Sequence, residues 1–181
     1  MEKCRIVFSG SGGQGVITAS IVLAEAAVLY EGLVASQSQN YGAEARGGAT
    51  RSDVIIADSR INFPKVNQPN VLICLTQEAY DRFCNIIRPG GILISDTRYV
   101  KTQKTVSAQQ RELPMYKTVM DKIGKPIVFN ICVLGALVGM IKIVSPGSIM
   151  KVLETRIPSD FLGMNEEALE LGIALGEPFS A

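Results

Sequence analysis

Arg5-Ile6-Val7-Phe8-Ser9-Gly10-Ser11-Gly12-Gly13-Gln14-Gly15-Val16 decides how the rest of the chain is read. Arg5 to Phe8 joins β-branched and aromatic residues into a short buried strand, and a run of glycines from Gly10 to Gly15 follows at once. From Val16 to Tyr30 the only charge is Glu25 and alanine is frequent. This predicts a helix covered on most sides, with Gly32 standing where a left-handed terminating residue belongs. Strand, glycine turn and helix together form the opening of an α/β fold.

Working outward, Leu33–Gln37 is expected as a second strand, Ser38–Gly48 as a polar functional loop, and Ser52–Ala57 as a third strand. Asp58-Ser59-Arg60 reads as a turn, and Pro64 and Pro69 punctuate the connection after it. Val71–Leu75, a helix over Gln77–Ile87, the Pro89-Gly90-Gly91 turn and Ile92–Ser95 complete a βαβ unit. Continuous apolar strands alternating with helices predict a mainly parallel sheet covered on both faces. Further on, Thr105-Val106-Ser107 is expected as an edge strand and Met115–Ile123 as a helix stopped by Gly124 and Pro126. Asn130 is a candidate N-cap for an apolar helix reaching Ile143, and Ser145-Pro146 opens a helix over Gly147–Thr155. Pro158 separates that from an amphipathic helix near Asn165–Leu175. The expectation is a three-layer α/β/α fold, with a Rossmann-like, mainly parallel sheet, formed as one domain over residues 1–181.

Composition narrows the chemistry. Hydrophobic residues make up 47% and charged residues 19% of the 181, which fits a folded domain and excludes a disordered polymer. A net charge of +1 argues against nucleic acid as a partner. The apolar stretch Ile131–Ile141 is about half the roughly 20 residues that a membrane span requires, so no membrane partner is expected. Met1-Glu2-Lys3-Cys4-Arg5 lacks the apolar segment of a secretory signal, so a cytoplasmic protein is expected. There is no histidine, which removes the commonest general base and metal ligand and excludes a histidine-dependent nucleophile. Cys4, Cys74, Cys84 and Cys132 form no C-x-x-C pair; they read as small core residues rather than zinc or cluster ligands. No metal site and no catalytic residue is expected in this chain.

Two loops remain as candidate sites. Gly10, Ser11, Gly12, Gly13, Gln14 and Gly15 satisfy G-x-G-x-x-G between a strand and a helix, the context in which free amides and the helix dipole favour a phosphate. The alternative is that the glycines only permit tight strand–helix packing. A dinucleotide site would carry an acid at the end of the second strand, where this chain has Ala35-Ser36-Gln37-Ser38. The second loop, Tyr41-Gly42-Ala43-Glu44-Ala45-Arg46-Gly47-Gly48, followed by Arg51, joins an aromatic, an acid and two arginines to three glycines. Arg46 and Arg51 could grip a carboxylate or phosphate, and Tyr41 offers flat apolar area. The alternative is a glycine-rich turn in which Glu44 and Arg46 are solvated or paired with each other.

These loops, some 26 residues apart, resemble those of the gamma subunits of 2-oxoacid:ferredoxin oxidoreductases. The resemblance continues through Arg51-Ser52, Ile61-Asn62-Phe63-Pro64, Pro69-Asn70-Val71-Leu72, Gln77-Glu78-Ala79-Tyr80, Gly135-Ala136-Leu137-Val138-Gly139 and an acidic amphipathic C-terminus. Ala43 departs from the proline of many relatives. The resemblance implies oxidative decarboxylation of a 2-oxoacid with coenzyme A, giving acyl-CoA, carbon dioxide and reduced ferredoxin. Thiamine diphosphate, Mg and iron–sulfur clusters would sit on partners, namely alpha and beta subunits and a ferredoxin-like delta subunit. Within the family the Y-G-x-E-A-R-G-G form points to 2-oxoglutarate, with pyruvate or a branched-chain 2-oxoacid as alternatives. For this chain it implies a coenzyme A phosphate site at Gly10–Gly15, and a shared site or interface at Tyr41, Glu44, Arg46, Gly47, Gly48 and Arg51. Two other readings stay open: an independent NAD- or FAD-binding domain, and a purely structural subunit. Gly135-x-x-x-Gly139 predicts close backbone approach, within the chain rather than across a subunit contact.

Overall fold

The computed structural model describes residues 3–40, 48–103 and 105–180. Their strands form one six-stranded sheet in the order β2-β3-β1-β4-β5-β6, made of β1 (Cys4–Gly10), β2 (Val34–Asn40), β3 (Thr50–Ala57), β4 (Val71–Cys74), β5 (Ile92–Asp96) and β6 (Gln109–Leu113). β1, β4, β5 and β6 pair in parallel. β3 runs antiparallel to both β1 and β2, so it alone is reversed. The helices are α1 (Val16–Tyr30), α2 (Gln77–Phe83), α3 (Met115–Lys122), α4 (Phe129–Ile141), α5 (Pro146–Arg156) and α6 (Ser159–Gly176).

Side chains alternate across the strands, and the two faces they serve are unequal. Ile6, Phe8, Val54, Ile56, Ile73 and Ile94 meet α1, α3, α4, α5 and α6 in a thick layer. Val7, Ile55, Leu72, Cys74 and Leu93 meet a thinner one built around Tyr80 of α2, with Val66, Val100 and Val106 supplied by irregular segments. The expected three layers are present, with helical cover concentrated on one face.

α4 is buried along nearly its whole length, Phe129 to Met140, and its closest partner is α6. A Cβ at Gly135 would sit far inside contact distance of the Leu169 carbonyl, one at Gly139 2.7 Å from the Ile173 oxygen, and one at Gly172 or Gly176 against the carbonyls of Cys132 and Ala136. Glycines on both helices therefore let the backbones touch, and Gly135-x-x-x-Gly139 works within the chain as expected.

Several boundaries differ from the sequence reading. β2 runs on to Asn40, through the start of the expected loop, because Gln37 Nε2 donates to Ser52 Oγ at 2.8 Å and Ser52 shares a hydrogen bond with Ser20 of α1. This polar triad holds an uncharged edge strand in register. The last strand is Gln109–Leu113 rather than Thr105–Ser107; Val106 instead plugs the thin core. The helix expected to Ile87 ends at Phe83 and tightens into a 3-10 turn. A 3-10 turn at Pro126–Val128 precedes α4, so Asn130 lies inside that helix and is not its cap. α6 begins six residues before the expected Asn165, at Ser159.

Candidate functional site

β1 is central, and Gly10 closes it at the carboxyl edge of the parallel strands, the edge where open α/β sheets receive ligands. Gly32 ends the helix segment in the left-handed region, φ 66°, and returns the chain to β2. Gly48 and Ala49 lead into Thr50, which pairs with Gly10, and the Ala49 amide donates to Glu78 Oε1 at 3.3 Å. The stem that bounds the second loop thus stands at the same sheet edge as the glycine turn. Tyr41, Glu44, Arg46 and Gly47 lie outside the described residues.

The glycine turn is held at both ends. Gln14 Oε1 accepts from the Ser11 amide at 2.9 Å, and Gln14 Nε2 donates to the Leu75 carbonyl at 2.9 Å. One side chain so ties the turn to the end of β4. A Cβ on Gly10 would meet that same Oε1 at 2.5 Å. Gly15 takes φ 67° at the N-cap of α1, a region that costs other residues about 1–2 kcal/mol. A side chain there would strike Asn130, at 2.6 Å from Nδ2, and Asn130 Nδ2 reaches the Gly15 carbonyl at 3.4 Å.

Gly12 and Gly13 are different. Among the described residues, a Cβ on Gly12 would find only Thr50 Oγ1, at 3.9 Å, and one on Gly13 nothing within 4 Å. Neither has a left-handed backbone, and both are exposed. The described packing crowds any side chain at 10 and 15 but, among the described residues, leaves room at 12 and 13. The first-turn amides of α1, which follow this turn directly, have no intrahelical acceptor. No acid occupies the first turn of α1 to oppose an anion.

Beside the turn lies a cleft of about 400 Å³. Gly13, Gln14, Gly15 and Thr18 form one wall, and Pro126, Ile127, Val128, Asn130 and Ile131 with Ile157, Pro158, Phe161, Met164 and Asn165 form the other. Its described lining contains no Lys or Arg, and Ile127 and Phe161 are exposed. The combination suits a molecule with an anionic end and a longer, weakly polar body. Only the glycine wall was legible beforehand. The apolar wall is built from two segments about thirty residues apart that α4 and α6 bring together, and no local motif marks either.

Arg51 is engaged by its own chain. Its guanidinium binds the Asp53 carboxylate in a fork, at 2.6 and 2.8 Å, and donates to the Val66 carbonyl at 2.6 Å. It anchors the connection before β4 to β3. The cysteine thiols are likewise inert: burial pushes Cys74 and Cys132 up to about 12 and Cys4 up to about 11, so none is poised as a thiolate nucleophile or ligand. Among the described residues no group of three His, Cys, Asp or Glu could hold a metal ion, and no helix is long and apolar enough to cross a membrane.

The NAD- or FAD-binding alternative fits this geometry poorly. In a dinucleotide fold the second strand lies beside the first and ends in the ribose-binding acid. Here the antiparallel β3 intervenes between β1 and β2, the residue opposite Gly10 is Thr50, and Asp53 is taken by Arg51.

Comparison with known proteins agrees with this architecture. The model of the pyruvate ferredoxin/flavodoxin oxidoreductase family matches residues 5–175. The 2-oxoglutarate synthase subunit KorC of Methanocaldococcus jannaschii is 43% identical over 85% of this chain and 83% of its own. The pyruvate synthase subunit PorC of Methanothermobacter marburgensis is 28% identical over 92% of this chain and 94% of its own. The crystal structure of a keto/oxoacid ferredoxin oxidoreductase gamma subunit from Geobacter sulfurreducens superposes with a TM-score of 0.90, at 35% identity and covering all of both chains. The chain belongs to the pyruvate ferredoxin/flavodoxin oxidoreductase family, as a gamma-type subunit of a 2-oxoacid:ferredoxin oxidoreductase.

Proposed function

We propose that this subunit serves an oxidoreductase that converts 2-oxoglutarate and coenzyme A to succinyl-CoA and carbon dioxide, passing the electrons to ferredoxin, and that its glycine turn holds the phosphates of coenzyme A. One observation carries the second part: among the described residues, a Cβ on Gly12 or Gly13 would meet nothing closer than 3.9 Å. Phosphate oxygens would sit against the amides of that turn and the positive end of the α1 dipole. The pantetheine arm would run along the apolar wall formed by Ile127, Val128 and Phe161. Since no cation lines the described cleft, Arg46 of the neighbouring loop is assigned the remaining charge, with Tyr41, Glu44, Gly47 and Gly48 shaping the approach to a shared site.

The redox and decarboxylation chemistry is assigned to thiamine diphosphate with Mg and to iron–sulfur clusters on alpha, beta and delta partners. This chain would bind and orient coenzyme A and help to exclude water from the joint site. The identity of 43% to the 2-oxoglutarate-named relative against 28% to the pyruvate-named one supports 2-oxoglutarate as substrate. One continuous sheet supports a single domain over residues 1–181. Four free cysteines fit a reducing cytoplasm.

Purification through a tag on this chain from its native source tests the assignment. Co-elution with thiamine- and cluster-bearing chains, and faster ferredoxin reduction with 2-oxoglutarate than with pyruvate or 2-oxoisovalerate, are expected. An isolated chain with activity of its own would sink the subunit role, and preference for pyruvate would sink the substrate.

A further inference from the structure

At the other end of β1 from the glycine turn, Arg5, Phe63, Lys65, Asn67, Gln68 and Arg88 surround an open cleft of about 600 Å³. Five residue steps of strand lead from Arg5 to Gly10, or about 16 Å along the sheet. Among the described residues, three cations line this cleft and no acid does. None of the three makes an ion pair within the described chain; the pairs there are Arg51–Asp53, Lys117–Asp121 and Arg156–Glu25.

The cleft is nevertheless fixed in shape. Val66 is buried in the thin core, its carbonyl is held by Arg51, and Asn70 closes the segment. The Arg5 amide donates to Asn70 Oδ1 at 2.9 Å, and the Asn70 amide donates to the Arg5 carbonyl at 2.7 Å. Between Ile61, which packs against the same thin core, and Val66 the chain holds Phe63 outward, 62% exposed. A large aromatic ring displayed to water on an anchored segment, ringed by unpaired arginine and lysine, has the composition of an interface centre, where aromatic residues and arginine are enriched.

We propose that this cleft docks an acidic surface of a partner subunit, with Phe63 inserted into an apolar recess and Arg5, Lys65 and Arg88 paired with carboxylates around it. The inference rests on the multi-subunit reading above. Charge selects the partner: three uncompensated cations attract carboxylates and repel a basic surface. Openness selects a protein over a small anion. Small-molecule sites bury some 70–90% of their ligand, whereas here Phe63, Lys65, Asn67, Gln68 and Arg88 are all exposed. Docking at this end leaves the glycine turn and its cleft free for coenzyme A.

Carbodiimide cross-linking of the assembled complex provides the test, since it joins an amine to a carboxylate only where the two are already paired. Peptide mapping should find Lys65 linked to Asp or Glu of a different subunit. The exposed pair Lys65→Glu and Arg88→Glu should weaken that subunit's retention at least about tenfold, with unchanged thermal unfolding of the isolated chain. Phe63→Ala should weaken it independently of salt. Links from Lys65 to Glu166 or Glu170 of a second copy of this chain would assign the face to self-association and overturn the proposal. So would an assembled complex in which Lys65 stays unlinked, or a double variant that assembles at wild-type stoichiometry. Failure of the wild-type chain to assemble at all would instead strike the subunit reading.

Discussion

The two groups of glycines in this molecule look alike in sequence and do opposite things. On α4 and α6, Gly135, Gly139, Gly172 and Gly176 are required because any side chain would collide with the carbonyls of the facing helix. In the β1–α1 turn, a Cβ on Gly10 would crowd Gln14, Val16 and Leu75 and one on Gly15 would strike Asn130, whereas one on Gly12 or Gly13 would meet no described atom closer than 3.9 Å. The first kind of glycine is explained by what it touches. The second is explained, in the function proposed above, by room kept for a ligand. That distinction separates a packing device from a candidate binding site, and substitutions can test it residue by residue.

The largest effect is expected at the helix pair. Gly172→Val would force its side chain into the Cys132 carbonyl and push α6 off α4, costing about 3 kcal/mol; denaturant unfolding of the chain measures it. Near-wild-type stability would show that the helices can separate cheaply. Gly15→Ala comes next, combining a left-handed backbone with contact against Asn130, for about 1–2 kcal/mol. If Asn130→Ala in the same chain restores part of that loss, the contact is confirmed as one of its causes. Gln14→Ala removes two hydrogen bonds that tie the turn to β4. Its expected cost is about 1–2 kcal/mol, together with faster amide exchange at Ser11, and unaltered exchange would show that the tie contributes little.

Legibility in the sequence followed from how far apart the contributing residues lie. β1, β4 and β5 announce themselves as short apolar runs because both of their faces are covered, and α1 and α4 as long apolar stretches. Gln109–Leu113 did not, since Gln109, Gln110, Arg111 and Glu112 belong to an edge strand whose pairing with β5 is made by backbone groups that composition does not reveal. The nearby Val106 looked more like a strand because it is the apolar plug of a turn. Asn130 has the residue type of a cap, but its use is a contact with Gly15, 115 positions away, which no local rule anticipates. Half of the candidate site was legible for the same reason: a glycine turn is local, while the apolar wall opposite it exists only once α4 and α6 have packed.

The same separation bears on Arg51. Its position after the glycine-rich loop suggested an external anion, and the structure gives its guanidinium to Asp53 and Val66. Arginine beside a candidate site is informative only when its own neighbours leave it unsatisfied, as Arg5 and Arg88 are left at the opposite end of the sheet.

Gly12→Val is the substitution that most directly divides a site from a spacer, with coenzyme A affinity of the assembled complex measured by calorimetry alongside thermal unfolding. Stability should change by no more than about 0.5 kcal/mol, because the added Cβ meets no described atom closer than 3.9 Å, while the dissociation constant for coenzyme A rises at least about tenfold. Unchanged affinity at unchanged stability would contradict the account and return the glycine turn to the role of a strand–helix joint.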